Sequence, residues 1–277
     1  MKIQYPEITS RQNPRVMQYA ALQEKKHREE SRLFLLEGEK LVCEAATRPL
    51  PVACLLVSSE KQEEILGKLS FAYQSAKWDD LPVYLLSQSC FAKISSEKAP
   101  QGVIAVLKYL DFLERKTIIY DVDILGSERL LLLYDIQDPG NVGAILRSAA
   151  AFGVDHVILS AGCADLYASK TIRAAMGSLF SMRLTVAADF ASAIAALRHQ
   201  GRRVLAAELR TGARPVCDVC LSGRDCLIIG NEGHGILPAI SALCDASVYL
   251  PITEKAESLN AAVAASVLLW EQWRRIE

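Results

Sequence analysis

Apolar runs and amphipathic segments alternate along the first block of the chain. The runs VACLLVS, LPVYLLS and GVIAVLK are short and almost wholly apolar, which is typical of buried strands. Amphipathic stretches at 13–22, 39–46, 62–69 and 88–94 predict helices before and between them, while the run QEKKHREESR is polar throughout. The pattern predicts a small α/β domain over residues 1–107.

The alternation becomes more regular from residue 129 to residue 277. Apolar runs (LLLLYD, HVILS, RLTVA, RVLAAE, CLIIG and ASVYL) are separated mostly by helical segments, and a long helix closes the chain. Such runs favour a mostly parallel sheet covered on both faces, which binds ligands at the carboxyl ends of its strands. Residues 108–128 are charged and less periodic, so we expect a linker there, with IIYDV as a possible short strand.

Composition supports two folded bodies and excludes several classes of protein. With 277 residues, 51% of them hydrophobic and 23% charged, the chain is far from the composition of disordered proteins. Its 31 basic and 32 acidic residues give a net charge of −1, so any nucleic-acid site must be a regional basic patch. The start of the chain has no apolar signal region and no membrane-length apolar stretch follows, so we expect a soluble, cytoplasmic protein.

Eight cysteines raise the question of metal binding or redox chemistry. Only Cys217 and Cys220 form a CxxC pair, and no second Cys or His pair at suitable spacing completes a zinc site. We therefore expect no metal. The CxxC pair is open to a redox role, although packing within a loop or strand is the ordinary interpretation.

Two loops that follow predicted strands carry candidate chemistry. In the first, Pro139-Gly140 forms a turn, Asn141 stands where a helix N-cap belongs, and Arg147 lies nearly two helical turns later, within reach of the same ligand. In the second, residues 229–235, the glycine spacing matches neither GxGxxG nor a P-loop. Glu232 in its centre can be a general base, a cation partner or the anchor of the loop.

The third loop begins where the last strand breaks at Pro251. It crosses a polar stretch and enters a helix, for which Ser258 is the expected N-cap. Alanines at 261, 262, 264 and 265 indicate that another part of the molecule lies very close to this helix.

Together, the three loops closely resemble the motifs of the SpoU (TrmH) family of RNA ribose 2′-O-methyltransferases, in the SPOUT superfamily. The matching patterns are NxGxxxR at 141–147, IGNEGxG at 229–235 and PIxxxxESLNAAVA at 251–264, in the family's order. The segments ITSRQNPRV, FLLEGEKLVCEA and QGVIAVLK also resemble the family's L30e-like, RNA-binding N-terminal domain. The resemblance covers nearly the whole chain.

The resemblance implies a fold and a cofactor. It implies an α/β-knot catalytic domain with a deep trefoil knot, which the general rule against threaded chains would exclude, and a homodimer through that domain. The cofactor would be S-adenosylmethionine. Its binding residues, carried over by motif, are Ala207, Gly230, Asn231, Gly235, Ile252 and Leu259.

The resemblance also implies catalytic residues, namely Asn141, Arg147, Glu232, Ser258 and Asn260. An arginine is a poor general base, because its guanidinium pKa exceeds about 12. We therefore expect Arg147 to clamp a phosphate and orient the ribose hydroxyl, with Glu232 holding Arg147 or receiving the proton. Asn141 and Asn260 can both donate and accept hydrogen bonds, which suits alignment of the ribose.

RNA is the expected partner, with 23S ribosomal RNA preferred and tRNA possible. Two readings from other classes stay open: a catalytically silent ribosome-assembly factor, and an oxidoreductase, which lacks its glycine fingerprint. Basic residues on both domains are candidate phosphate contacts. They are Arg11, Arg15, Arg28, Arg32, Lys170 and Arg173.

Overall fold

The computed structural model describes residues 7–48, 50–76, 81–110 and 128–276. The chain divides into one compact unit of residues 1–110 with 167–173, and a second of residues 111–166 with 174–277. Most of the predicted linker, including IIYDV, lies outside the described residues. No described helix has both the length and the apolar character that a membrane span requires.

The first unit is a four-stranded sheet packed against helices. Its order of strands is β1-β4-β2-β3, with β2 and β3 parallel and the other two pairs antiparallel. A core that includes Leu56, Phe91 and Ile104 lies between the sheet and helices α1 and α5. The elements are α1 (Pro14–Ala21), α2 (Lys25–Ser31), β1 (Leu33–Glu37), α3 (Glu39–Ala46), β2 (Val52–Ser58), α4 (Gln62–Ala76), β3 (Val83–Leu86), α5 (Gln88–Ile94) and β4 (Val103–Lys108).

Helix α2 is the main departure from the predicted elements of this unit. The segment is too polar to show an apolar face, so its periodicity gave no helical signal. In the structure it carries the exposed i,i+4 ion pairs Lys25 to Glu29 and Lys26 to Glu30, which favour a helix. The remaining predicted helices and strands of the unit are confirmed, although α4 continues to Ala76.

The second unit contains a seven-stranded sheet in which every paired strand is parallel. The order of strands is β7-β6-β5-β10-β8-β11-β9. The predicted mostly parallel sheet is therefore confirmed. Its elements are β5 (Leu130–Leu133), α6 (Pro139–Ala151), β6 (His156–Ser160), α7 (Ser169–Ala175), β7 (Arg183–Ala187), α8 (Phe190–His199), β8 (Val204–Ala207), β9 (Arg214–Pro215), β10 (Cys226–Ile229), α9 (Pro238–Ser241), β11 (Ala246–Tyr249) and α10 (Ala261–Trp273).

Two short elements, β9 and α9, did not show in the sequence pattern, because two and four residues are too few to establish a period. The strands that matter for chemistry are β5, β10, β8 and β11, which are neighbours in the sheet. Parallel strands end at the same edge, so the loops after these four strands meet there. Strand order does not describe how the chain threads through itself, so the trefoil knot stays a prediction.

Both predicted N-caps in this unit are wrong. Asp138, and not Asn141, caps α6, because Pro139 begins the helix and the Asp138 carboxylate accepts hydrogen bonds from the N–H groups of residues 140 and 141. Asn260, and not Ser258, caps α10 by accepting from Ala262 N and Val263 N. The Asn141 side chain is therefore not used as a cap and contacts Glu232, while the Asn260 side chain caps α10 and also contacts Asn141.

Candidate active site

The glycine-rich loop after β10 is closed on itself by its own asparagine. Asn231 and Gly235 exchange two backbone hydrogen bonds of 3.1 Å, and Asn231 Oδ1 accepts from Gly233 N at 2.8 Å. Asn231 Nδ2 donates to Asp135 O at 2.7 Å, which ties the loop to the end of β5. Gly235 has φ +67°, a conformation that glycine adopts without strain. These hydrogen bonds fix the backbone of the loop that carries Glu232.

Glu232 accepts three hydrogen bonds from the loop after β5 and the first turn of α6. Its Oε2 accepts from Gln137 N at 3.1 Å, and its Oε1 accepts from Asp138 N at 3.1 Å and Asn141 Nδ2 at 2.9 Å. Partial burial by itself raises the pKa of Glu232, but the hydrogen bonds from Asn141 and backbone N–H groups outweigh it, so the pKa lies below its ordinary value. Glu232 is therefore a stable carboxylate that joins two loops.

A second hydrogen bond extends this connection to the third loop. Asn260 Nδ2 donates to Asn141 Oδ1 at 3.0 Å, while Asn260 Oδ1 caps α10. Glu232, Asn141 and Asn260 therefore form one hydrogen-bonded chain across all three sequence motifs. The structure brings together residues that lie more than a hundred positions apart in the sequence.

Arg147 and Ser258 are placed differently from this hydrogen-bonded chain. Arg147 lies exposed on α6 and forms no hydrogen bond or ion pair with the part of the chain that the structure describes. Contact between Arg147 and Glu232, one of the two roles expected for Glu232, is therefore not part of this structure: Glu232 bonds to Asn141 and backbone N–H groups. Ser258 lies in the exposed segment 251–260 and lines the cavity described next.

A cavity of about 370 Å³ lies at the ends of β8 and β11. Ala207, Ile252 and Leu259 line it, together with Ser258 and the start of α10. Gly230, Asn231 and Gly235 are outside its lining. Gly230 instead packs closely against Ile236: a Cβ at position 230 would lie 2.6 Å from Ile236 Cγ1, so only glycine fits there.

The cavity is suited in size and lining to the cofactor that the resemblance implies. Its volume lies within the range of small-molecule sites, where apolar walls and a few polar groups hold a ligand. Val248, Leu250 and Leu268 supply apolar surface, and Thr253 and Ser258 supply hydroxyl groups. Such walls fit an adenosine with an amino-acid tail.

Three of the predicted RNA-contacting arginines in the first unit are exposed. Arg15 lies over the Tyr84 ring at 4.8 Å, and Arg32 lies over the Tyr109 ring at 5.4 Å. Arg11 is also exposed. Tyr84 is buried and Tyr109 stacks on Tyr167, so the exposed guanidinium planes of Arg15 and Arg32 are the surfaces on which unpaired RNA bases could stack.

The prediction for Arg28 is wrong. Its side chain is buried, and its Nη1 donates to Leu22 O at 2.7 Å and Gln23 O at 2.8 Å, near the end of α1. These carbonyls need partners, because the last turn of a helix leaves its C=O groups unpaired. Arg28 is thus a structural residue: its guanidinium, which the sequence predicted to contact RNA, binds backbone carbonyls inside the domain.

The basic residues of segment 167–173 differ from each other. Lys170 is exposed, whereas Arg173 is half-buried and its Nε lies 2.6 Å from Glu97 Oε1. Arg173 Nη1 also donates to Ser96 Oγ at 2.6 Å. These partners belong to the first compact unit, so Arg173 helps to hold this segment to it.

Cys217 and Cys220 are exposed free thiols. Among the described residues, no group of three or more His, Cys, Asp or Glu side chains is arranged to hold a metal ion.

Comparison with known proteins finds a matching family profile for each of the two units. The SpoU rRNA Methylase family profile matches residues 128–270, and the MRM3-like substrate binding domain profile matches residues 13–105. The chain belongs to the SpoU rRNA methylase family.

Two relatives and one solved structure align with almost the whole chain. The 23S rRNA (guanosine(2553)-2′-O)-methyltransferase RlmP of Bacillus subtilis (strain 168) is 35% identical, with 95% of this chain and 98% of that protein covered. The 23S rRNA (uridine(2479)-2′-O)-methyltransferase of Streptomyces viridochromogenes is 33% identical over 97% and 92% of the two chains. The crystal structure of the AdoMet-bound rRNA methyltransferase from Sinorhizobium meliloti is 25% identical, covers 98% of both chains and superposes with a TM-score of 0.77.

Proposed function

We propose that this protein transfers a methyl group from S-adenosylmethionine to a ribose 2′-hydroxyl of RNA, with 23S ribosomal RNA as the substrate. The observation that carries the proposal is the hydrogen-bonded chain from Glu232 through Asn141 to Asn260, which joins the three family motifs at one edge of the sheet. The relatives named for 23S rRNA methylation, which align over at least nine-tenths of their length, support the choice of RNA.

Bound S-adenosylmethionine would supply an electrophilic sulfonium methyl group, which the ribose oxygen attacks in line. The residues of the site act mainly by positioning, which accounts for much of the rate in such displacements. Arg147, exposed and free of partners among the described residues, is available to bind an RNA phosphate and orient the hydroxyl. Glu232 keeps the loops after β5 and β10 together, and its lowered pKa makes it a weak proton acceptor.

The first unit would supply RNA recognition. Duplex RNA hides most base edges, so a ribose-modifying enzyme reads loops and shape. The exposed guanidinium groups of Arg15, held over the buried Tyr84, and of Arg32, held over Tyr109, offer two planar basic surfaces for unpaired nucleotides. Arg11 and Lys170, both exposed, would add phosphate contacts.

We also propose that the protein is a homodimer through the second unit. Val263, Val267 and Trp270 follow each other along one side of α10 and are 49%, 42% and 46% exposed. An apolar stripe of this kind is typical of a surface covered by a partner. Trp270 also stacks on Trp273 at 5.3 Å, so the indoles pack within one chain while one of them still reaches solvent.

A map of 2′-O-methylation across total cellular RNA, with and without the gene, tests the proposed reaction. We expect one 23S rRNA site to be lost on deletion and restored by the wild-type gene. Arg147→Ala should fail to restore it, because the hydroxyl is no longer oriented.

The other classes predict different maps. Loss of a tRNA site instead would identify a tRNA methyltransferase. Unchanged methylation in every RNA, together with defective ribosome assembly, would identify the catalytically silent factor.

A further inference from the structure

The cavity that would hold the cofactor carries negative charge without a basic side chain in its lining. Among the residues that line it, Glu208, Glu254 and Glu257 are acidic, and no lysine, arginine or histidine belongs to the set. Glu254 and Glu257 lie in the exposed segment 251–260, where solvent screens them. Glu208, which follows β8 directly, is the least exposed of the three.

Glu208 is held in place on one oxygen only. Its Oε1 accepts from Ser247 Oγ at 2.7 Å, from Ser241 Oγ and, at 3.4 Å, from Arg210 Nη1. Its Oε2 accepts no hydrogen bond from the described part of the chain. Its side chain is 15% exposed, so the carboxylate is fixed, largely desolvated and still part of the cavity wall.

Arg210 offsets this charge only in part. Its guanidinium is 48% exposed and touches Glu208 at the long distance of 3.4 Å, and it is not among the residues that line the cavity. Arg210 Nη1 also donates to Ser241 Oγ, but because the Arg210 end of the pair is half-exposed, solvent weakens its effect on the cavity. The lining therefore carries more acidic than basic groups, which favours a cation in the cavity over a neutral molecule of the same shape.

The methyl donor and its product differ by one such charge. When the ribose oxygen forms its bond to the methyl carbon, the carbon–sulfur bond breaks and its electron pair stays on sulfur. The sulfonium cation thereby becomes the neutral thioether of S-adenosylhomocysteine, and the hydroxyl proton leaves to solvent. A negative cavity wall stabilises the first molecule and not the second.

We propose that Glu208 is a specificity-determining residue that makes the cavity prefer the cationic methyl donor over the neutral product, so that product inhibition is reduced. This inference rests on the proposed function, because it assumes the same cofactor in the same cavity. Glu208 lies outside the three sequence motifs, so the motifs assign it no role.

Calorimetry on the full chain tests the inference without turnover. S-adenosylmethionine, S-adenosylhomocysteine and sinefungin, a stable analogue that is cationic at this position, would be titrated into the wild type, Glu208→Gln and Asp218→Asn. We expect Glu208→Gln to lower the preference for both cations over S-adenosylhomocysteine by about fivefold, as one partly screened charge allows. Asp218→Asn removes one exposed acid outside the cavity lining and should leave the preference unchanged.

A second measurement does not depend on how the variant folds. In the wild type, raising the salt concentration should lower the preference for the cations in part, because salt screens the exposed Glu254 and Glu257 of the lining more than the largely desolvated Glu208, while binding of the neutral product is not screened. Equal weakening of all three ligands in Glu208→Gln, or a wild-type preference that is independent of salt, would overturn the inference. Failure of the wild type to bind any of the three would overturn the proposed function as well.

Discussion

At the scale of single residues, the structure narrows the three roles that the sequence left open for Glu232 to one. The sequence left open whether this carboxylate is a base, a cation partner or an anchor. Three hydrogen bonds from Gln137, Asp138 and Asn141 favour the anchor, because they stabilise the ionised form and lower the proton affinity that a base needs.

Glu232→Gln should therefore slow methyl transfer without changing its dependence on pH. The amide has one acceptor oxygen where the carboxylate has two, so at least one bond to Gln137 or Asp138 is lost and the loops separate; we expect about 100-fold slower transfer. Single-turnover rates between pH 6 and pH 9 measure this. A shift of the pH midpoint in the variant would instead identify Glu232 as the proton acceptor.

The lowered pKa of Glu232 also predicts how stability depends on pH. A carboxyl group with a folded-state pKa below its unfolded value contributes stability above the unfolded pKa and loses it as pH falls through the folded pKa. Urea unfolding of the wild type and Glu232→Gln should therefore differ most near neutrality, and the difference should shrink as the pH falls below 4.5, the ordinary pKa of a glutamate. A difference that stays constant down to pH 3 would contradict this explanation.

At the scale of elements, the beginnings of α6 and α10 decide how the site is assembled. Because Asp138 caps α6, Asn141 lies inside the first turn and its side chain is free to bridge Glu232 and Asn260. Asn260 divides its amide between two tasks, since Oδ1 caps α10 and Nδ2 donates to Asn141. Helix capping and site assembly are therefore coupled in one residue.

Substitutions of Asn260 separate the two tasks. Asn260→Ala removes both the cap and the bond to Asn141, and we expect a loss of about 1 kcal/mol in the free energy of unfolding. Asn260→Ser keeps a capping oxygen but has no amide to donate, so stability should be nearly retained while methyl transfer falls. Chemical denaturation and transfer rates on both variants measure this; full activity in Asn260→Ser would show that the bond to Asn141 is dispensable.

At the scale of the whole molecule, helix α10 has two different faces. One face packs on α6, where Ala261, Ala262 and Ala265 are buried and Ser266 lies 2.7 Å from Ser148 between their hydroxyl oxygens. The alanines allow this approach because they have little side chain. The other face carries the exposed stripe that we propose as the dimer surface.

Val267→Glu tests that surface. A charge in the middle of the stripe would have to be desolvated in a dimer, so we expect the variant to sediment as a monomer while the wild type sediments as a dimer. Ser266→Ala, on the neighbouring packed face, is the matched control and should leave the sedimentation coefficient unchanged. A wild type that is monomeric at micromolar concentration would refute the proposed dimer.

The sequence by itself determined the fold class, most strands of both units and the family motifs; β1 and the two-residue β9 were not among the predicted strands. Periodicity and motif spacing are local properties, and the apolar runs at 130–133, 156–160 and 226–229 could hardly be anything but buried strands. Only the tertiary structure decided which side chains meet. Asn141, Glu232 and Asn260 are distant in the chain, and their bonds depend on strand order and on where helices begin. For the same reason Arg28 was misassigned, since its burial depends on neighbours.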